Sequence, residues 1–164
     1  MIVLGIDPGQ SGAIAWVDSA GVLLRVEDMP VFQVMRNNKP RRELNVHGLA
    51  SLLSDLKADV CFMEQVNGME GDSPSSAFTF GRITGGAEAV LKLSVPRFEP
   101  VSPATWKRAM GLIGTAKDQS RAKATHRWSN FAKTFSRKMD DGRAEAALLA
   151  EYGRQVLHKE GIFG

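Results

Sequence analysis

The sequence predicts an α/β fold on a mixed five-stranded sheet, three antiparallel strands followed by parallel ones, flanked by helices. Three observations carry this prediction. Short apolar runs separated by glycine turns open the chain, a nearly all-apolar run appears at 60–66, and the stretches around the later strands space their apolar residues as helices do.

Residues 2–6, IVLGI, read as a buried strand, and 12–18, GAIAWVD, as its antiparallel partner across the turn PGQSG. After SAG, residues 22–30 give a third strand ended by Pro30. Residues 31–42, containing RNNKPRR, read as an exposed polar loop whose four basic residues are available to a ligand. Val46, Leu49, Leu52, Leu53 and Leu56 recur at helical spacing, which predicts a helix near 45–57. Residues 60–66, VCFMEQV, fit a central parallel strand buried on both faces.

A loop over 67–75 follows, with Ser73 or Ser75 as candidate N-cap of the next helix. That helix contains Gly81, Gly85 and Gly86, each costing about 1 kcal/mol relative to alanine, so a close backbone approach is the expected reason for them. Residues 97–103 predict the fifth strand, Pro103 opens a helix, SRAKATHRWSNFA reads as a basic helix, and 141–158 as a final helix with one apolar stripe.

With 164 residues, 43% hydrophobic and 24% charged, the chain is expected to form one domain over 1–164. Its apolar runs fall far short of the ~18–20 residues that cross a bilayer, so no membrane association is expected. The single cysteine, Cys61, lies in an apolar run and reads as a buried hydrophobe in a reducing compartment. The net charge of +3 is unevenly spread: residues 97–143 hold eleven Lys/Arg against four acids, and the remainder ten against fourteen. A polyanionic partner and a solvated helical face both account for that asymmetry.

Four acids stand where a chain rarely places them without a reason. Asp7 ends the first strand, Glu64 lies near the end of the buried strand, and Asp141 and Glu145 are four apart on the last helix and so share a face. Buried carboxylates need compensation, and a hard divalent cation such as Mg²⁺ or Mn²⁺ supplies it. Four acids suit two ions about 4 Å apart, the arrangement that activates water in phosphodiester hydrolysis. Other readings stand beside this one: Asp7 before Pro-Gly can make an Asx turn, Asp141 can cap its helix, Asp140 competes with Asp141, and Glu145 can be a solvated helix residue. Three scattered histidines and one cysteine do not space as zinc ligands, and no Ser-His triad is visible. Lys107, Arg108, Lys117, Arg121 and Lys123 are candidates to hold phosphates, with Lys107 or Lys117 placed to stabilise charge on a scissile phosphate. Trp106, Trp128 and Phe131 read as core residues more readily than as base-stacking platforms.

Taken in order, GIDPGQSGAIAWV, VCFMEQV, FTFGRITGGAEAVL, VSPATWKRAMGL and DDGRAEAALLA resemble the RuvC-type Holliday-junction resolvases of the RNase H-like fold, over residues 2 to about 157. The resemblance implies a homodimeric nuclease that cuts four-way DNA junctions with paired symmetric nicks, using two Mg²⁺ or Mn²⁺ ions per site and no small-molecule cofactor. By position, Asp7 would bridge the ions, Glu64 would bind one, and the acids of the last helix, Asp141 and Glu145, would complete the set. The better-known members end with two aspartates three apart, and the DGRAEA pattern here departs from that. The same resemblance pairs the glycine-bearing helix with its twin in a twofold dimer, and points to the cytoplasm of a bacterial or phage-infected cell. Alternatives are a nuclease of flaps, forks or RNA–DNA hybrids, and an inactive junction-binding module. An actin- or sugar-kinase-like ATPase, which also opens on a strand, an acid and a glycine turn, is not expected, because 164 residues leave no room for its second half.

Overall fold

The computed structural model describes residues 1–36, 38–66, 73–116 and 118–162. Five strands form the central sheet in the order β3-β2-β1-β6-β7. Strands β1 (Ile2–Asp7), β2 (Ala13–Asp18) and β3 (Leu23–Asp28) make the antiparallel meander, while β6 (Val60–Glu64) runs parallel to β1 on one side and to β7 (Arg97–Val101) on the other. This is the mixed sheet the sequence predicts.

Each strand's two-residue period sorts the core into two layers. Leu4 and Ile6 of β1, with Cys61 and Met63 of β6, face α1 (Val46–Asp55) and α2 (Pro74–Ser94). Val3, Val60 and Phe62 face the opposite layer, made by α3 (Pro103–Ala109), α4 (Asp118–Arg127) and α5 (Asp141–Lys159). By the same alternation Asp7 and Glu64 fall on the α5 side.

Helix α5 seats on the sheet through small residues. A methyl group on Gly5 would lie 2.1 Å from the Ala146 carbonyl oxygen and 2.4 Å from the Ala150 nitrogen, and one on Gly153 would lie 2.3 Å from the Phe62 ring. At its first turn, Gly142 is equally close to the Ser11 carbonyl and to Asp7. The helix start is also tied down by charge: Arg143 makes two hydrogen bonds to Asp28 at 2.6 and 2.7 Å, and Arg137 holds the buried Asp140 at 2.7 Å.

Two segments depart from expectation. Residues 31–42 are not a loop: β4 (Val31–Arg36) and β5 (Lys39–Leu44) pair antiparallel as a separate two-stranded ribbon. Its polar composition hides the strand signal, since most of its side chains are exposed and only Val31 and Leu44 join the core. The basic helix is also shorter than predicted. It ends at Arg127 and passes into a 3₁₀ segment, Ser129–Phe135, because Trp128 turns inward and its indole N–H donates to the Gly21 carbonyl at 3.0 Å.

The remaining helix starts follow their caps. Ser73 accepts from the Ser76 N–H, Ser102 from the Thr105 N–H, and Asn45 from the Gly48 N–H. Cys61 is fully buried, and desolvation pushes its thiol well up. No described helix is long and apolar enough to cross a membrane.

Because Gly5 touches helix backbone rather than a movable side chain, Gly5→Ala is expected to cost about 3 kcal/mol, a fall of roughly 6–12 °C in Tm. Gly81→Ala, where nothing of the same chain lies within 4 Å, is the control, melted at a concentration where the chain is monomeric, and should not lower Tm.

Candidate metal centre

The strands deliver two carboxylates to one place. Asp7 ends β1 and Glu64 ends β6, two adjacent parallel strands, both on the α5 side. Glu145, in the second turn of α5, completes a group whose ligand oxygens from Asp7, Glu64 and Glu145 lie within 4.8 Å of one another. Beyond Asp7 the chain leaves sharply: Gly9 adopts φ +121°, and a side chain there would press on Phe80 at 3.0 Å.

Neighbouring groups orient these acids. The Trp106 indole N–H donates to Glu64 Oε2 at 2.6 Å. Lys107 Nζ lies 3.2 Å from Glu145 Oε2 and 4.0 Å from Glu64 Oε2, and the Ser120 hydroxyl donates to Glu145 Oε1 at 3.4 Å. Helix α3 therefore supplies two successive residues to the site, a donor that fixes one carboxylate and a cation set between two.

The charge balance separates this cluster from the other buried acids. Burial alone would raise Asp140 and Glu151, but hydrogen bonds and charge from Arg137 and Arg143 outweigh it for Asp140, and those from Arg154, Gln155 and Arg127 for Glu151. Both end below the ordinary carboxylate value. Asp7 is raised well above it, first by burial and then by Glu145 and Glu64, with only Lys107 opposing. Glu64 is also raised, again first by burial, with Trp106 and Lys107 opposing. Three converging carboxylates with one nearby ammonium fit an oxygen-liganded divalent cation.

The fourth expected acid stands apart. Asp141 Oδ1 accepts from Arg121 Nε at 2.7 Å and is not in the Asp7–Glu64–Glu145 group. Asp140, its competitor in the sequence, is 1% exposed and clasped by Arg137. Among the basic candidates, Lys107 is at the cluster, Arg121 is paired with Asp141, and Arg108 and Lys123 are exposed on α3 and α4. Lys117 lies outside the described residues, as does most of the 67–75 loop. Sequence reasoning missed the part Trp106 plays at Glu64, since full burial of a tryptophan signals core. Only its one polar atom, which must find a partner, hinted otherwise.

The fold is shared with junction resolvases of known structure. The chain superposes on RuvC of Thermus thermophilus in complex with a Holliday junction substrate with a TM-score of 0.63 at 16% identity, covering 98% of this chain and 97% of that one. On the fowlpox virus Holliday junction resolvase the TM-score is 0.57 at 14% identity, covering 96% and 100%. The same viral enzyme with its junction DNA gives 0.55 at 16% identity, covering 96% and 99%. No family model and no curated sequence matches the chain. What these likenesses define is the fold: a RuvC-type, RNase H-like sheet with helices on both faces.

A carboxylate held above its ordinary value destabilises the metal-free fold wherever it must ionise. The penalty on Asp7 is absent below the usual value of 3.8, grows as pH rises through the interval up to the raised folded value, and is full above it. In chelator, Asp7→Asn is therefore expected to melt above the wild type at pH 7–8, and the advantage should close as pH falls toward 3.8. Mg²⁺ should raise the Tm of the wild type and not of the variant.

Proposed function

We propose that this chain is a divalent-metal-dependent endonuclease that resolves four-way DNA junctions as a homodimer, one nick per protomer. The observation that carries the reading is the convergence of Asp7, Glu64 and Glu145 around Lys107, at the ends of two parallel strands, in a fold shared with junction-bound resolvases. Mg²⁺ or Mn²⁺ ions, two per site in this reading, would supply the activated water and the stabilisation of the leaving oxygen.

In this reading the chain's own groups have distinct tasks. Asp7, Glu64 and Glu145, whose ligand oxygens lie within 4.8 Å of one another, would hold the cations. Lys107, on the rim of the cluster, neutralises a non-bridging phosphate oxygen as charge builds there. Arg108, Lys117 and Lys123 contact flanking phosphates. Arg121, which pairs with Asp141 at 2.7 Å, would take a DNA phosphate in its place, and Asp141 would then be available as a fourth carboxylate.

Gly81 and Gly85 support the dimer. Only Gly86 of the three helix glycines meets its own chain, at Leu44, whereas Gly81 and Gly85 have nothing within 4 Å and lie on an exposed face of α2 with Phe78 and the 90% exposed Leu93. A twofold pairing of α2 would set two sites on two strands of one junction.

The test is cleavage of a synthetic four-way junction beside flap, fork, RNA–DNA hybrid and linear duplex substrates, in Mg²⁺ and in Mn²⁺. Paired symmetric nicks on the junction are expected. Preferential cutting of flaps, forks or hybrids would move the assignment to another nuclease of this fold, and binding without cleavage would leave a junction-binding module. Asp7→Asn and Glu145→Gln should abolish cleavage and keep junction binding, because they remove metal ligands and little phosphate-contacting surface.

Trp106→Phe keeps the ring and removes the N–H that orients Glu64. Partners of this kind are worth about 10–100-fold in metal affinity or activity. The Mg²⁺ concentration for half-maximal cleavage should rise within that range, with a cooperative fold retained in thermal melts.

A further inference from the structure

The β4–β5 ribbon carries a strong local charge that the catalytic cluster does not use. Residues 31–44 include Arg36, Lys39, Arg41 and Arg42 against one acid, Glu43. Glu43 is shared by Arg36 at 2.6 Å and by Arg82 of α2 at 3.6 Å. Lys39 and Arg41 have no carboxylate partner among the described residues, and Arg42 donates only to the Gln10 carbonyl, at 3.3 Å. All three are exposed.

Placement gives this charge a direction. Two adjoining clefts of about 540 and 530 Å³ lie between β5 and α2, sharing Arg41, Arg42, Thr79 and Ile83. One cleft is lined by Lys39, Arg41 and Arg82 beside the exposed Phe78. The other runs from Arg42 to Gln10, in the turn three residues beyond Asp7. The ribbon packs on the α2 side of the sheet, and the basic residues of α3 and α4 lie on the α5 side. The ribbon's charge is thus separate from the basic residues that share the α5 side with the acidic cluster.

We propose that the β4–β5 ribbon is a second DNA-backbone clamp, in which Lys39, Arg41 and Arg42 hold the phosphates of a duplex arm leaving the catalytic cluster past Gln10. This rests on the reading of the chain as a DNA nuclease. Duplex DNA is the favoured occupant because the cations outnumber the acid here and are spaced along an extended strand about 3.3 Å per residue, which presents a line of positive charge to a linear polyanion.

The experiment is a salt titration of DNA binding, using a labelled four-way junction and a labelled linear duplex in chelator, with the wild type, a Lys39→Ala/Arg41→Ala/Arg42→Ala variant, and Arg41→Lys/Arg42→Lys. Each phosphate contact contributes about 0.9 to the slope of log affinity against log salt, so the triple variant should lose about 2.7 of slope and about tenfold or more in affinity. The lysine variant should keep the slope, and matching thermal melts would show that folding is intact. An unchanged slope in a folded triple variant overturns the proposal. So does loss of self-association with DNA affinity retained, which would make the cleft a seat for a second copy. Equal wild-type affinity for duplex and junction would overturn junction selectivity instead, and a reduced slope on that duplex would still support the clamp.

Discussion

The seating of α5 on β1 is the constraint on which the rest depends. Gly5 offers no side chain, Ala146 and Ala150 offer little, and the helix backbone comes within bonding range of where a strand side chain would stand. That closeness places Glu145, which leaves the helix one residue before Ala146, beside an aspartate at the end of the strand. With a larger residue at position 5 the helix would stand further out, and its carboxylate could not share a cation with Asp7 and Glu64.

The second constraint is electrostatic. Elsewhere in this protein a buried acid is met by arginine: Asp140 by Arg137 and Arg143, Glu151 by Arg154 and Arg127. Those pairs hold the beginning and the middle of α5, the arginines offsetting the desolvation of the buried carboxylates. At the strand ends the chain does the opposite and lets three carboxylates converge on one lysine. Among the described residues, stability is given up where three carboxylates could share a cation.

Much of this was legible in the residues. The apolar runs IVLGI and VCFMEQV put Asp7 and Glu64 at or near strand ends, and the DGRAEAALLA helix supplied acids on one helical face. The choice between Asp140 and Asp141 could not be read, because adjacent acids at a helix start differ only in which arginine reaches them, and Arg121 and Arg137 come from segments 20 and 3 residues away. The β4–β5 ribbon was hidden for a related reason. A two-stranded ribbon that lies outside the main sheet buries only its base, so apolar alternation, the signal that reveals strands, is absent from most of it. Trp106 shows the converse, since its burial was readable but the target of its N–H was set by the parallel pairing of β6 with β7 and the helix after it.

The anchoring of α5 also decides how such a protein would fail. Two of the three clustered carboxylates end central strands and the third belongs to the helix that covers them, so none sits on a segment that can melt by itself. Local opening, the usual first event at a site built on loops, has no route here that spares the core. Loss of the carboxylate cluster and loss of the fold are then one cooperative event on heating, and the cluster's geometry persists up to the temperature at which the sheet and α5 give way together.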